Sequence, residues 1–403
     1  MYGAVLFDDD MDNGAGWACS SGARPFRFHR ASQLQIDEAE RSVCWWSNSK
    51  AQWTRGLAWL KPHDYLRPTF DGLIAELNHD REDPERTVAL LAEVFGRVMQ
   101  LAADRYGVRA DRPALSQMCG LTLSDDVGAV LRSAVPPSGD ELCAALQASY
   151  QPLVVCVKGR IPGSSTLVTL NLPRLAHARA VLNTPVPVFD QHALPIEAAL
   201  LPPAGMGYAW ACEFQKRPLL LKVRIDSFDA SVAPLIALGD RDESGRVWMA
   251  LPEFAVLGTL AKIDIEDVIV GHRYAGESLA DRLITDGPFE ALSLSAGVLA
   301  ANVLDALIGE HSSSPVGGAQ ASAQPVPDAQ SVWLTASDRM LTLSAAMLLH
   351  SAGFIVRSYG RGALEVECPE DDLPELCDAA STAGLEMPLF LERIGGRAAP
   401  YIA

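Results

Sequence analysis

Four aspartates crowd the start of the chain: Asp8, Asp9, Asp10 and Asp12, in "VLFDDDMDNGAG". An apolar run precedes them and Asn13-Gly14, a strong turn signal, follows. Alternate residues of a strand share a face, so Asp8 and Asp10 would point the same way. Two carboxylates on one side can hold Mg2+ or Mn2+ through oxygen. Divalent-metal-dependent phosphoryl-transfer enzymes and nucleases use such a pair, completed by acids from other strands. An RNase H-like arrangement would set the first strand's acids beside Asp226 of "VRIDSFD". Asp8, Asp10, Asp12 and Asp226 are therefore the candidate metal ligands, with Asp229, Asp264, Glu266 and Asp267 as further donors. The simpler reading is a solvated acidic hairpin loop. A calcium loop fails on spacing, because its sixth position would be Asn13 and its twelfth Cys19.

Tryptophan makes the second cluster. Trp45, Trp46, Trp53 and Trp59 are half of the 8 tryptophans in the chain. Such a group packs a core or forms the hot spot of a protein interface. With Lys50, Arg55 and Lys61 interleaved, a stacking platform for bases is a third reading. The third cluster is acidic. No Lys or Arg occurs between Arg361 and Arg393, and Glu370, Asp371 and Asp372 lie in that gap. Part of this is the chemistry of a helix N-terminus. The rest offers a negative face to a basic partner. Trp45, Trp46, Trp53, Glu370, Asp371 and Asp372 are the candidate partner-binding residues.

Other motifs carry less. The 8 histidines include no His-x-x-x-His and no His-Glu-x-x-His, so no local zinc site is supported. His63-Asp64 and His272-Arg273 stand out only by adjacency. Neither a Gly-x-x-x-x-Gly-Lys phosphate loop, nor a Gly-x-Gly-x-x-Gly fingerprint, nor Gly-x-Ser-x-Gly is present. Lys158 and Arg160 in "KGRIPGSST" read as a basic hairpin tip.

Bulk chemistry narrows the partners. The formal net charge is −17 over 403 residues, a field that repels nucleic acid and anionic lipid. It argues against nucleic acid without excluding a local basic groove. The 8 cysteines form no Cys-x-x-Cys pair and sit mostly among apolar neighbours, which reads as reduced thiols in the cytoplasm. No cleavable signal is visible in "MYGAVLFDDD". The apolar stretch 291–308 is long enough to span a bilayer, but it holds Asn302 and Asp305 and lacks basic flanks, so a buried core helix is expected.

These clusters need a scaffold. The pattern predicts an α/β mixed chain. Residues 1–135 form an N-terminal α/β region. Within it "GAVLFD", "GWACSS" and "RPFRFHR" read as strands, and Val88, Leu91, Phe95, Val98 and Met99 mark one amphipathic helix capped by Asp83. Residues 150–310 form antiparallel hairpins followed by helices. The hairpins turn at 161–164, 216–218 and 242–245. Residues 311–331 are a Ser/Pro/Gly/Ala linker. Residues 332–397 read β-α-β-β-α-β, the ferredoxin-like order, with "SVWLTA" as first strand and "EMPLFLERI" as last.

The expected function is a non-catalytic interaction or assembly component of a cytosolic, bacterial-type protein complex. A metal-dependent phosphoryl-transfer enzyme or nuclease is the first alternative, and a nucleic-acid-binding module without chemistry the second. No cofactor is firmly implied; Mg2+ or Mn2+ belongs to the enzyme alternative. A protein partner is expected and a membrane is not.

Overall fold

The computed structural model describes residues 2–8, 15–34, 43–47, 83–105, 139–190, 192–213, 216–237, 245–276, 278–283, 300, 301, 304, 307, 308 and 327–386. They form mixed α/β structure with several antiparallel sheets. Two units hold them: residues from 2 to 105 with Ala300 and Ala301 in one, residues 139–283 and 304–386 in the other.

In the first unit, β1 (Tyr2–Phe7), β2 (Gly16–Ser20), β3 (Phe26–Phe28) and β4 (Cys44–Ser47) pair in the order β3-β2-β1-β4. β1 runs antiparallel to β2 and parallel to β4. Every residue of β1 is buried, as its unbroken apolar sequence demands. Val5, Phe7, Ala18, Phe28, Leu34, Val43 and Trp45 form a core cluster. Gly3 is needed there, because a Cβ would lie 2.4 Å from the Trp45 ring. Helix α1 (Pro84–Arg105) packs on β1 and β2 through Val88, Leu91 and Ala92. The Asp83 side chain accepts the N–H of Arg86 at 3.1 Å, and Pro84 takes the first helical position. The three strands and the capped helix are those the sequence pattern predicts.

The second unit runs α2 (Asp140–Ser149), β5 (Val154–Val155), β6 (Ser165–Asn171), α3 (Arg174–Leu182), β7 (Pro187–Val188), α4 (Gly207–Glu213), β8 (Leu219–Phe228), β9 (Arg246–Ala250), α5 (Leu251–Leu260), β10 (Ala261–Val270), β11 (Arg273–Tyr274), α6 (Leu279–Leu283), α7 (Ala329–Ser351), β12 (Ile355–Gly360), β13 (Ala363–Pro369) and α8 (Leu373–Thr382). One sheet is β10-β8-β9, a second is β5-β12-β13-β6, and both are antiparallel throughout. β7 and β11 form a small ribbon. α7 lies against β12, α5 and α3. Its N-cap Asp328 accepts the Ser331 N–H at 2.7 Å.

Several expectations need correction. "SVWLTA" is not a strand: Ser331–Ala336 are the first turns of α7, buried on all sides. A short apolar run does not distinguish a buried helix from a buried strand. The ferredoxin-like order is therefore not seen among the described residues, which give helix, strand, strand, helix from 329 on. The last expected strand, residues 386–394, lies outside them apart from Glu386, as does the linker before residue 327. β5 and β6 are not a hairpin, because β12 and β13 stand between them. "GYAWACE" is α4 and not a strand, and Ala233–Leu235 is a 3-10 turn. Of the stretch 291–308, where a core helix is expected, only residues 300, 301, 304, 307 and 308 are described: Ala300, Leu304, Leu307 and Ile308 are helical and buried, and the rest of that expectation lies outside the described residues. No helix among the described residues is long and apolar enough to cross a membrane.

Candidate interaction surface

The second unit presents apolar side chains to solvent on a segment that its own backbone holds still. Between β7 and α4 the chain reads "HALPIEAALLPPAGM", residues 192–206. Pro195, Pro202 and Pro203 withhold N–H groups, so neither a helix nor a strand can run through. The segment instead lies along β10. Pro195 bridges Ile269, Ile196 N–H donates to Val268 O at 2.9 Å, and Gly205 N–H donates to Asp264 Oδ1 at 2.9 Å. Gly205 sits at φ 76, a conformation that suits glycine. From this frame Leu194 is 67% exposed, Leu200 61% and Met206 55%. Tyr208 follows on α4, half supported by Phe254 with ring centroids 6.3 Å apart and by the absent side chain of Gly258. Each such aliphatic side chain yields about 1.5–3 kcal/mol when it leaves water.

An ion network on β8 and β10 steadies the frame. Arg224 reaches Asp264 at 3.1 Å, Asp226 at 3.5 Å and Glu266 at 3.6 Å. Arg246 pairs with Glu266, and Lys262 reaches Asp226 at 3.2 Å. The Gly205 N–H, then the Arg224 guanidinium, holds the Asp264 carboxyl below its ordinary range. The same carboxylates raise Arg224 above an ordinary arginine. Asp264 thus joins the network to the turn that presents Met206.

The residues singled out from sequence fall elsewhere. Asp8 is exposed, and both its oxygens face Arg27 in a two-pronged pair, with one N–O distance of 2.8 Å. Arg27 in turn lies 5.8 Å over the Trp17 ring. Asp10 and Asp12 lie outside the described residues. Asp226 carries Arg224 and Lys262, so each described candidate metal ligand already has a cationic partner. No group of three metal-ligating side chains occurs among the described residues. Trp45, expected at a partner surface, is 1% exposed and donates its indole N–H to Leu34 O at 3.1 Å. It is core, because its strand is parallel to the buried β1. The side chain of Trp46 and all of Trp53 lie outside the described residues. Glu370, Asp371 and Asp372 form an exposed 3-10 turn ahead of α8.

Sequence reasoning passed over two features. The apolar segment had a signal: from Ala193 to Cys212 only Glu197 is charged, while three prolines forbid a span or a strand. The interior polar layer around α7 had none. There Arg339 pairs with Glu253 and donates to Gln151 Oε1 at 3.0 Å, and Asp338 meets His177 at 2.7 Å. These partners are remote in sequence and nearly all buried. Arg357 likewise pairs with Glu367 and reaches Gly159 O at 2.6 Å.

No protein-family model and no curated protein matches the chain. Among solved structures, Phi29 DNA polymerase in an orthorhombic crystal form aligns over 72% of this chain and 53% of its own, at 11% identity and a TM-score of 0.39. The same polymerase complexed with primer-template DNA, in a post-translocation binary complex, aligns over 72% and 52%, at 10% identity and a TM-score of 0.38. The chain spans about half the length of that polymerase. A likeness of this size does not establish a shared fold.

Proposed function

We propose that the chain is an interaction or assembly component of a cytoplasmic protein complex, and that the segment 192–208 is a contact surface for a protein partner. The single observation behind this reading is the display of Leu194, Leu200 and Met206, more than half exposed on a backbone pinned to β10. Large apolar side chains held in solvent along one segment are the kind of surface that a protein partner covers. Aromatic and methionine side chains are enriched in interface cores, and Tyr208 and Met206 supply both. The acidic balance of the chain fits a partner with basic patches around an apolar centre.

The test is quantitative affinity capture with the full chain and with Leu194→Ser/Leu200→Ser/Met206→Ser. Exposed positions tolerate such changes within about 0.5 kcal/mol of stability. A discrete partner retained by the parent and lost by the variant supports the reading. An identical captured set from both contradicts it.

A further inference from the structure

The register of the four-stranded sheet sets its two faces. Val154, Tyr359, Leu364 and Leu170 stand in one row across it and are all buried, on the side that α7 covers. Neighbouring residues of a strand point to opposite faces. Leu153, Val155 and Val157 therefore lie on the other side, where Leu153 is 48% exposed, Val155 38% and Val157 39%. Val157 N–H donates to Arg357 O at 3.2 Å, which seats it beside the start of β12, where Ile355 is 48% exposed. Four large aliphatic side chains thus make one strip along β5 and its flanks. The polar side chains of this face close on one another. Ser358 donates to Glu365 Oε2 at 2.5 Å, and Arg357 pairs with Glu367.

Cations border the strip at both ends. Past Val157, the connection to β6 carries Lys158 and Arg160, both exposed. Gly159 between them is held in place, since its carbonyl accepts from the Arg357 guanidinium at 2.6 Å. At the Leu153 end, Gly360 comes so close that a Cβ on it would lie 3.2 Å from Leu153 Cα, and exposed Arg361 follows. A chain of net charge −17 thus gathers Lys158, Arg160 and Arg361 around one apolar strip. Salt screens the bulk field beyond about 10 Å, so these cations attract an anionic partner by contact.

We propose that this strip is a docking site, on other elements than the 192–208 segment, for an acidic amphipathic helix of a partner protein. Length and charge select the occupant. Extended chain from Leu153 to Val157 runs about 13 Å, at about 3.3 Å per residue. Apolar residues at positions i, i+4 and i+7 of a helix cover about 10 Å. A helix, α7, already covers the opposite face of this sheet, so a second one completes a helix–sheet–helix layering. Asp and Glu beyond the apolar stripe of the docked helix meet Lys158, Arg160 and Arg361. Nucleic acid fits less well, because Leu153, Val155, Val157 and Ile355 offer no aromatic ring on which a base could stack. An anionic membrane is opposed by the field of the whole chain.

The experiment is fluorescence anisotropy of the full chain with a labelled peptide, Glu-Glu-Leu-Ala-Ala-Ala-Leu-Ala-Ala-Leu-Glu-Glu. One companion carries Lys in place of every Glu, another Ser in place of every Leu. The first peptide is expected to bind about tenfold more tightly than either, since one lost apolar or charge contact is worth about that factor. Lys158→Glu/Arg160→Glu, in the exposed connection, is expected to turn the preference toward the Lys peptide. Val155→Ser/Ile355→Ser is expected to weaken binding about tenfold, whereas Leu194→Ser/Leu200→Ser/Met206→Ser leaves it unchanged. Equal binding of the Glu and Lys peptides to the unaltered protein, or no binding of either, overturns the proposal, whatever the folding of the strand variant. Binding lost only in the 192–208 variant overturns it too, and assigns the peptide to that segment. Co-sedimentation with phosphatidylserine vesicles that Val155→Ser/Ile355→Ser abolishes overturns it in favour of a membrane, and self-association abolished by the same change in favour of a second copy.

Discussion

Asp338 Oδ1 lies 2.7 Å from His177 Nε2, across 161 positions of sequence. The same wholly buried carboxylate accepts the backbone N–H of Arg361 at 2.6 Å and of Gly362 at 2.8 Å. One side chain of α7 therefore ties α3 to the tip of the β12–β13 hairpin. Asp338→Ala would leave buried N–H groups without acceptors, at about 1–3 kcal/mol each. The expected loss in urea unfolding is about 3 kcal/mol. A loss within error of zero would mean that water or another acceptor serves the turn.

The turn itself invites a paired test. Arg361 at φ 54 and Gly362 at φ 68 make a two-residue hairpin loop that suits Asn-Gly. Arg361→Asn is expected to stabilise the protein by about 0.5–1 kcal/mol, since asparagine tolerates this backbone region better. Gly362→Ala would bring a Cβ within 2.7 Å of the His177 ring in a left-handed conformation. It is expected to cost about 2 kcal/mol. Thermal and denaturant unfolding read both, and equal stabilities would refute the turn assignment.

Three thiols give a pH signature. Burial, first among causes, pushes Cys19, Cys156 and Cys368 up to about 11. Asp372 adds to the effect at Cys368 and Glu93 at Cys19. A folded value above the unfolded one means that the stability contribution is whole below about pH 8.5 and is lost as pH rises toward the folded value. Iodoacetamide alkylation of Cys156, read by mass spectrometry, is expected to keep accelerating up to about pH 11 in the native state and to level near about pH 9 in urea. Levelling at the same pH in both states would contradict the burial.

Asp8 is expected to behave as an ion-pair residue. Mg2+, Mn2+ and EDTA should leave the melting temperature of the parent unchanged, because a bound ion would have to displace Arg27. Asp8→Asn should cost no more than about 1 kcal/mol, as exposed pairs do. A metal-dependent rise that disappears in this variant would restore the acid cluster as a site.

Local chemistry made part of the molecule legible. The Asp83 cap and the spacing of Val88 and Leu91 are each set by neighbours in sequence, and each appears as the pattern predicts. Long-range pairing was not legible. Nothing near β5 and β6 announces that two strands about two hundred residues away separate them. Ser331–Ala336 reads as a strand because complete burial removes the periodicity that identifies a helix. The candidate surface was half visible. The uncharged, proline-broken run from Ala193 is plain in the sequence, but its exposure follows from pinning to β10, which only the fold supplies. Trp45 shows the converse, since an interface-type residue is claimed by the core once its strand pairs with β1.

The central claim is that residues 192–208 meet a protein partner. The most direct measurement places a photo-cross-linking amino acid at Leu194, at Leu200 and, as a control, at exposed Arg24, in otherwise unaltered full-length protein in cells. The account predicts one discrete adduct, shared by positions 194 and 200 and absent at 24. Adducts that are absent at all three positions, or equally abundant at all three, would contradict it.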